Sequence, residues 1–213
     1  DPQATGVLPV CLGSATRACE MLTDRTKEYV AELLLGKITD TQDTTGTVLE
    51  EREVAVDEAQ VREVIGSFVG GYDQIPPMYS ALKVNGKKLY ELARAGKEVE
   101  RQARHVDLPA IEILEIRLPV VKFHVECSKG TYIRSLCADI GGKLGCGGTM
   151  QSLVRTRVGE FRLADALTLA QLQELRDTDR LEEALLPTDR IFADFNAVHV
   201  EEKWRKLIGN GNA

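Results

Sequence analysis

Histidines and aromatic residues are scarce in this chain of 213 residues, and long apolar runs and paired cysteine motifs are absent. Its five cysteines form no Cys-x-x-Cys pair and its three histidines lie far apart, so buried free thiols are predicted rather than a disulfide framework or a zinc site. No apolar run approaches the roughly 18 residues of a membrane span, and nothing resembles a signal peptide. We therefore expect a cytoplasmic protein without membrane contact.

Charge is sorted along the chain, although the net charge is −6. Residues 24–64 hold five basic and eleven acidic side chains, and residues 165–202 hold three and ten. Residues 83–104 hold seven basic and three acidic side chains, and residues 117–162 hold eight and three. If the last two segments share a face, they form a basic surface that suits a phosphate backbone; otherwise they are ordinary solvated faces.

Periodic patterns predict the strands. The apolar run at residues 7–12 predicts a buried strand, and residues 29–35 predict a central strand that ends at Gly36. Residues 121–127 alternate with a period of two, which indicates a half-buried strand. Residues 151–158 indicate a further strand.

Helix signals lie between these strands. Asp57 caps an amphipathic helix, and a short helix over residues 87–95 stops at Gly96. Residues 169–185 predict an acidic helix. Arg134 falls in the first turn of a helix, where the macrodipole disfavours a cation, so a carboxylate partner or an anionic ligand is expected.

The chain opens on Asp1-Pro2, which predicts a stiff turn that presents a carboxylate above a strand edge. Such a carboxylate is a candidate nucleophile or general base, although Asp-Pro is also common turn chemistry. Three later stretches supply the partners that a catalytic carboxylate would need. Among the polar segments of the chain, the loop at residues 40–46 is of a kind that carries function on a rigid scaffold.

Six motifs in this order resemble the TruB family, the bacterial tRNA pseudouridine-55 synthases, over residues 1 to about 190. The motifs are Asp1-Pro2-x-Ala4-x-Gly6-x-Leu8, Lys27-Glu28-Tyr29, Asp40-Thr41-x-Asp43-x-x-Gly46, Ile75-Pro76-Pro77-x-Tyr79-Ser80-Ala81-x-Lys83, Cys127-Ser128-x-Gly130-Thr131-Tyr132-Ile133-Arg134-Ser135-Leu136 and Leu153-x-Arg155-Thr156.

The resemblance implies a mixed α/β (α+β) pseudouridine synthase fold, with a central, mainly antiparallel mixed sheet flanked by helices. It implies a catalytic domain over residues 1–190 that carries a basic, thumb-like RNA-binding insertion at residues 76–105. Residues 191–213 are then a linker and the start of a C-terminal PUA domain. The family's segment before the catalytic aspartate is missing here, so we expect this chain to be a truncated piece of a larger protein.

The resemblance also assigns the site. Asp1 is the catalytic aspartate, Tyr29 the tyrosine against the uracil, and Arg134 the arginine paired with the aspartate. Further residues are assigned to substrate binding, namely Asp43, Tyr132, Leu153, Tyr79 and Lys83. Four basic residues are candidates for contacts to the RNA backbone, namely Arg94, Lys97, Arg101 and Arg104.

The predicted reaction is isomerisation of uridine 55 in the T-loop of tRNA, by a monomer that needs no metal or organic cofactor. The uracil must leave its stack to reach Asp1, at a cost of a few kcal/mol. Other readings stay open: Tyr29 and Leu153 as core residues, Arg134 as an ordinary ion pair, and Tyr79 and Lys83 as loop packing and solvent charge. Two other functions also stay open, a non-catalytic tRNA-binding or RNA-folding module and a guide-RNA-dependent pseudouridine synthase subunit.

Overall fold

The computed structural model describes residues 3–193, 195–196 and 198–209. They belong to two compact units, one with the residues up to Cys11 and Cys19–Ala166, the other with Leu12–Ala18 and the residues from Leu167 onward. Among the described residues, no helix is long and apolar enough to cross a membrane.

Twelve strands and six α-helices are described. The strands are β1 (Thr5–Gly6), β2 (Lys27–Leu35), β3 (Lys37–Thr39), β4 (Val48–Glu51), β5 (Tyr72–Gln74), β6 (Lys83–Val84), β7 (Lys87–Lys88), β8 (Arg104–Val106), β9 (Ala110–Arg117), β10 (Val120–Cys127), β11 (Gly148–Val158) and β12 (Phe161–Arg162). The helices are α1 (Cys19–Thr23), α2 (Glu58–Gly66), α3 (Leu89–Arg94), α4 (Ile133–Lys143), α5 (Leu169–Asp177) and α6 (Glu202–Gly209).

A six-stranded sheet forms the centre of the first unit, with the order β1-β11-β2-β10-β9 and β12 paired to β11. Only the β1–β11 pair is parallel, so the predicted fold class, a mainly antiparallel mixed sheet with helices, is confirmed. The predicted central strand is β2, and β10 alternates between buried and half-buried side chains as predicted.

The core lies on one face of this sheet. Alternate residues of β2 and β10, such as Leu33 and Phe123, point to that face and are fully buried. Val61 of α2 and Leu136 of α4 belong to the same buried cluster. Each such side chain stabilises the fold by about 1.5–3 kcal/mol, so the cluster holds the sheet and both helices together.

Several local signals act as the sequence predicted. Asp57 caps α2, because its side chain accepts from Gln60 N while the Gln60 side chain accepts from Asp57 N. The helix predicted to stop at Gly96 is α3, and Gly96 has a φ of +68°. The amide of Lys97 donates to the Leu92 carbonyl at 2.9 Å, which closes the helix end.

Two element predictions are wrong. No strand forms at residues 7–12, because β1 ends at Gly6 and Pro9 has no amide hydrogen to continue the ladder. Of these six residues only Val7 is buried, and Leu8 is 69% exposed. The helix predicted for residues 169–185 ends at Asp177. Asp179 has a φ of +58°, and the Arg180 amide turns back to the Leu175 carbonyl at 2.7 Å.

The cysteine prediction holds only in part. All five thiols are free, and Cys127, Cys137 and Cys146 are buried as expected. Cys11, in the segment where the predicted strand does not form, is half-buried, and Cys19, the first residue of α1, is exposed.

Candidate active site

The start of the chain runs along β11 at the edge of the central sheet. Asp1, the predicted nucleophile, lies outside the described residues, as does Pro2. Four and five residues after Asp1, Thr5 and Gly6 pair in parallel with Val154 and Arg155. A side chain at Gly6 would meet the Arg155 carbonyl oxygen at 2.1 Å, so only glycine allows the two backbones to lie this close.

Tyr29 and Leu153 lie on the same side of adjacent strands. Tyr29 of β2 is opposite Arg155 of β11, and Leu153 is opposite Ala31. Burial raises the pKa of the Tyr29 phenol, Cys127 acts in the same direction, and Arg155 opposes them. The Tyr29 phenol is therefore neutral at pH 7. Leu153 is buried, so it provides an apolar surface that excludes water at this end of the sheet.

Arg134 is the second residue of α4, and its guanidinium contacts two loops. Its Nη1 donates to the Thr41 carbonyl at 3.1 Å and lies 3.4 Å from Oδ2 of Asp43. Its Nη2 donates to the Tyr79 carbonyl at 2.8 Å. The carboxylate expected near this cation is therefore present as Asp43. Arg134 has further interactions besides those with Thr41, Asp43 and Tyr79.

The loop that carries Asp43 is fixed by its own hydrogen bonds. Oδ1 of Asp43 accepts from the Thr41 hydroxyl at 2.9 Å, the Thr45 amide at 3.0 Å and the Thr45 hydroxyl at 2.5 Å. Gln42 has a φ of +63°, a strained geometry for a residue other than glycine. Ser135 of α4 donates to the Gln42 side chain at 2.8 Å, so two consecutive residues of α4 hold this loop.

These contacts keep Asp43 ionised. Burial alone would raise the pKa of Asp43, but hydrogen bonds from Thr45 and Thr41, together with the Arg134 charge, hold it below its usual range. A carboxylate that is charged in the folded state and only 5% exposed is a fixed negative charge beside the Arg134 guanidinium.

Replacing Asp43 with asparagine tests this assignment. The folded-state pKa lies below the unfolded value of about 3.9, so the ionised carboxylate stabilises the fold above that pH and the stabilisation is lost as pH falls through the folded pKa. We expect Asp43→Asn to lower the free energy of unfolding by about 2 kcal/mol at pH 7. The difference from the parent shrinks below about pH 4. Urea unfolding at pH 7, 5, 4 and 3 measures it, and a difference independent of pH contradicts it.

Tyr132 lies directly before α4 and is held through its backbone. Its amide donates to Oε1 of Gln74 at 2.8 Å, and its carbonyl accepts from Nε2 of Gln74 at 3.0 Å. The Tyr132 ring is half-buried. The loop residue Tyr79 supplies its carbonyl to Arg134, whereas Lys83 of β6 is exposed and lies opposite Lys88 of β7.

The four candidate RNA contacts in the predicted thumb have different surroundings. Lys97 and Arg104 are exposed, and the Arg94 guanidinium lies 5.3 Å from the centroid of the Tyr90 ring. Arg101 is largely enclosed, since it donates to the Pro76 carbonyl at 3.2 Å and to Glu98 at 3.1 Å. Arg101 thus links the end of the predicted insertion to its first residue, Pro76.

The structure brings one group of the predicted residues together and leaves another apart. Arg134, Asp43 and the Tyr79 carbonyl are in direct contact, while Tyr29 and Leu153 lie on neighbouring strands. Lys83 makes none of the described contacts with that group. Sequence reasoning named no role for Gln74, Gln42 or Ser135, although Gln74 directly precedes the motif that begins at Ile75 and Ser135 lies inside one.

The fold is that of pseudouridine synthases, as similar solved structures show. A crystal structure of a Cbf5-Nop10-Gar1 complex matches with a TM-score of 0.68 and 32% identity, over 90% of this chain and 50% of that one. An H/ACA RNP bound to a substrate RNA containing 2′-deoxyuridine matches with a TM-score of 0.65 and 29% identity, over 90% and 49%.

The chain belongs to the TruB family of pseudouridylate synthases. The model of the family's N-terminal domain matches residues 1–133, and that of the tRNA pseudouridylate synthase B C-terminal domain matches residues 134–193. The tRNA pseudouridine synthase B of Alkaliphilus oremlandii is 50% identical over 100% of this chain and 70% of its own length. The enzyme of the same name from Lachnoclostridium phytofermentans is 51% identical, over 100% and 72%.

Proposed function

We propose that this chain isomerises uridine 55 in the T-loop of tRNA to pseudouridine, with Asp1 as the nucleophile. The observation that carries the proposal is the Arg134–Asp43 pair, at 3.4 Å, in a member of this family. Asp43 and the two carbonyls hold the guanidinium, and β1 pairs with the strand that carries Leu153.

The reaction breaks the bond between N1 of uracil and C1′ and forms a bond between C5 and C1′. Asp1 adds either to the base or at C1′, and the C5 proton leaves after the new bond forms. Arg134 keeps the Asp1 carboxylate ionised and oriented, because a guanidinium with several fixed partners loses little freedom when it binds one more anion. Detached uracil must be held while it turns.

Tyr29 and Leu153 suit that holding role. The neutral phenol of Tyr29 offers a flat face for the base and a polar group near C5. Leu153 excludes water from the loose uracil, since it is buried and lies on the strand next to Tyr29. Asp43, which contacts Arg134, and Tyr132, which directly precedes α4, complete the proposed uracil site.

The substrate presents its uracil by base flipping, and folded RNA loops make this less costly because their bases are partly unstacked. We propose that residues 76–105 form a thumb that grips the T-arm through Arg94, Lys97 and Arg104, with Tyr79 and Lys83 near the base. The protein works as a cytoplasmic monomer, in which residues 1–190 form the catalytic domain.

A second candidate, a guide-RNA-dependent subunit, is favoured by one observation. The two solved relatives come from a Cbf5-Nop10-Gar1 complex and an H/ACA RNP. Their identities of 32% and 29% are lower than the 50% and 51% of the two relatives named tRNA pseudouridine synthase B. We therefore place the stand-alone enzyme first.

Release of tritium from C5-labelled uridine in a bare tRNA transcript tests the proposal. We expect the full-length protein to release tritium and its Asp1→Asn variant to release none, because asparagine is not a nucleophile of this kind. Asp57→Asn is the matched control, since asparagine caps a helix as well as aspartate does and activity should stay at the parent level. No release by the parent, with tRNA binding intact, would leave a non-catalytic tRNA-binding module.

A further inference from the structure

A buried amide, that of Gln74 in β5, is hydrogen-bonded to the residue directly before α4, the helix that carries Arg134. The amide accepts from the Tyr132 N–H and donates to the Tyr132 carbonyl, at 2.8 and 3.0 Å. Gln74 is 1% exposed, so water does not compete for either bond. The side chain thus pairs with the Tyr132 backbone as a neighbouring strand would.

The orientation of this amide is fixed from its other side. Nε2 of Gln74 also donates to the Tyr72 hydroxyl at 2.6 Å, and that hydroxyl donates to Oδ2 of Asp139 on α4 at 2.8 Å. Burial raises the pKa of Tyr72, so its hydroxyl keeps its proton and the chain of donors runs in one direction. Burial also raises the pKa of Asp139, although Tyr72 and Lys143 oppose it.

Tyr132 needs an outside partner. It caps α4 with an extended backbone, φ −103° and ψ 109°, and its side chain makes no capping hydrogen bond. Arg134 follows two residues later, and its guanidinium must reach three acceptors on two loops. Functional side chains need placement within about 0.5 Å, so the position of Tyr132 decides where Arg134 points.

We propose that Gln74 is a positioning residue for the reaction, which fixes the start of α4 and thereby aims Arg134. The inference rests on the function proposed above, because the effect passes through the Arg134 site. The side-chain hydrogen bonds described for Gln74 go to Tyr132 and Tyr72, and none goes to Asp43 or Arg134. We therefore expect its replacement to change the rate of chemistry more than the binding of tRNA.

The variants Gln74→Glu and Gln74→Met, in the full-length protein, test this role by tritium release under steady-state conditions. Methionine keeps the length but loses both bonds to Tyr132, so we expect kcat to fall roughly 10- to 100-fold at every pH with KM for tRNA nearly unchanged. A purely structural role would lower the active fraction or change both constants.

The pH profile of Gln74→Glu gives a second readout. A protonated carboxyl accepts from the Tyr132 N–H and has one hydrogen for the Tyr132 carbonyl, but none left for the Tyr72 hydroxyl, whereas an ionised one has no hydrogen for either. The groups that face it are the Tyr72 phenol and the Asp139 carboxylate, with Lys143 acting on Asp139. We expect the kcat ratio of variant to parent to be highest at low pH and to fall as pH rises.

The matched control is Gln60→Glu, which makes the same change in the exposed capping box of α2, where glutamate serves equally well. If the Gln74 variants fail to fold, Tyr72→Phe decides, because it leaves both Gln74–Tyr132 bonds possible but removes the hydroxyl that fixes the amide and donates to Asp139. A several-fold loss in kcat with KM for tRNA nearly unchanged supports the proposal. Parent-like kcat in folded Gln74→Met, or in Tyr72→Phe if that variant alone folds, overturns it. Inactivity of the parent itself counts against the proposed function instead.

Discussion

Replacing Arg134 with lysine is expected to lower kcat for pseudouridine formation by roughly 100- to 1000-fold, the usual cost of losing one preorganised donor. Lysine keeps the positive charge beside Asp43, so the buried carboxylate is not left without a cation. The ammonium group cannot span the Thr41 carbonyl, Asp43 and the Tyr79 carbonyl as the planar guanidinium does. Single-turnover tritium release measures the loss.

Arg62→Lys is the control for this change. Arg62 lies on α2 with its side chain 56% exposed and 3.7 Å from Glu58, a pair of little energetic weight. We expect it to leave kcat unchanged. Thermal unfolding of both variants separates a catalytic loss from a folding loss. An Arg134→Lys variant that folds and turns over at the parent rate contradicts a role for the guanidinium geometry.

Replacing Gly6 with valine is the second change with a large expected effect, a loss of more than about 100-fold in activity. Gly6 has a φ of +112°, and a Cβ there would lie 2.1 Å from the Arg155 carbonyl oxygen and 2.6 Å from its nitrogen. Both atoms belong to a backbone that is paired on its other side with β2, so neither can give way. β1, which begins four residues after the proposed nucleophile Asp1, must then leave β11.

Gly145→Ala separates steric clash from backbone strain. Gly145 has a φ of +79°, and nothing lies within 4 Å of a Cβ built there. We expect it to cost about 1 kcal/mol of stability and no activity. Tritium release and tRNA filter binding are measured on both variants. Parent-like activity in Gly6→Val would show that the pairing of β1 with β11 does not place the nucleophile.

Much of this structure could be predicted from the sequence where local chemistry decides the outcome. The period-two pattern of residues 121–127, the Asp57 cap and the stop at Gly96 each depend on a few neighbouring residues, and the structure confirms all three. The family, the fold class and the enzyme class are likewise confirmed, because six motifs spread over most of the chain carried the resemblance.

Other features depend on contacts that no local pattern contains. An apolar run at residues 7–12 resembles a strand, but its pairing stops where Pro9 has no hydrogen to donate. The Arg134 site needs Asp43 from a loop 91 positions earlier, and only its charge against the helix dipole hinted at a partner. Gln74 gave no signal, because a buried amide that binds backbone resembles any other glutamine in sequence.

The measurement that tests the central claim most directly is the position of pseudouridine in a bare tRNA transcript after incubation with the full-length protein. We expect one pseudouridine, at position 55, and none in a transcript that carries cytidine there. No guide RNA or partner protein is added. Modification at another position, or modification that appears only when a guide RNA is supplied, would contradict the claim that this chain is a stand-alone tRNA pseudouridine-55 synthase.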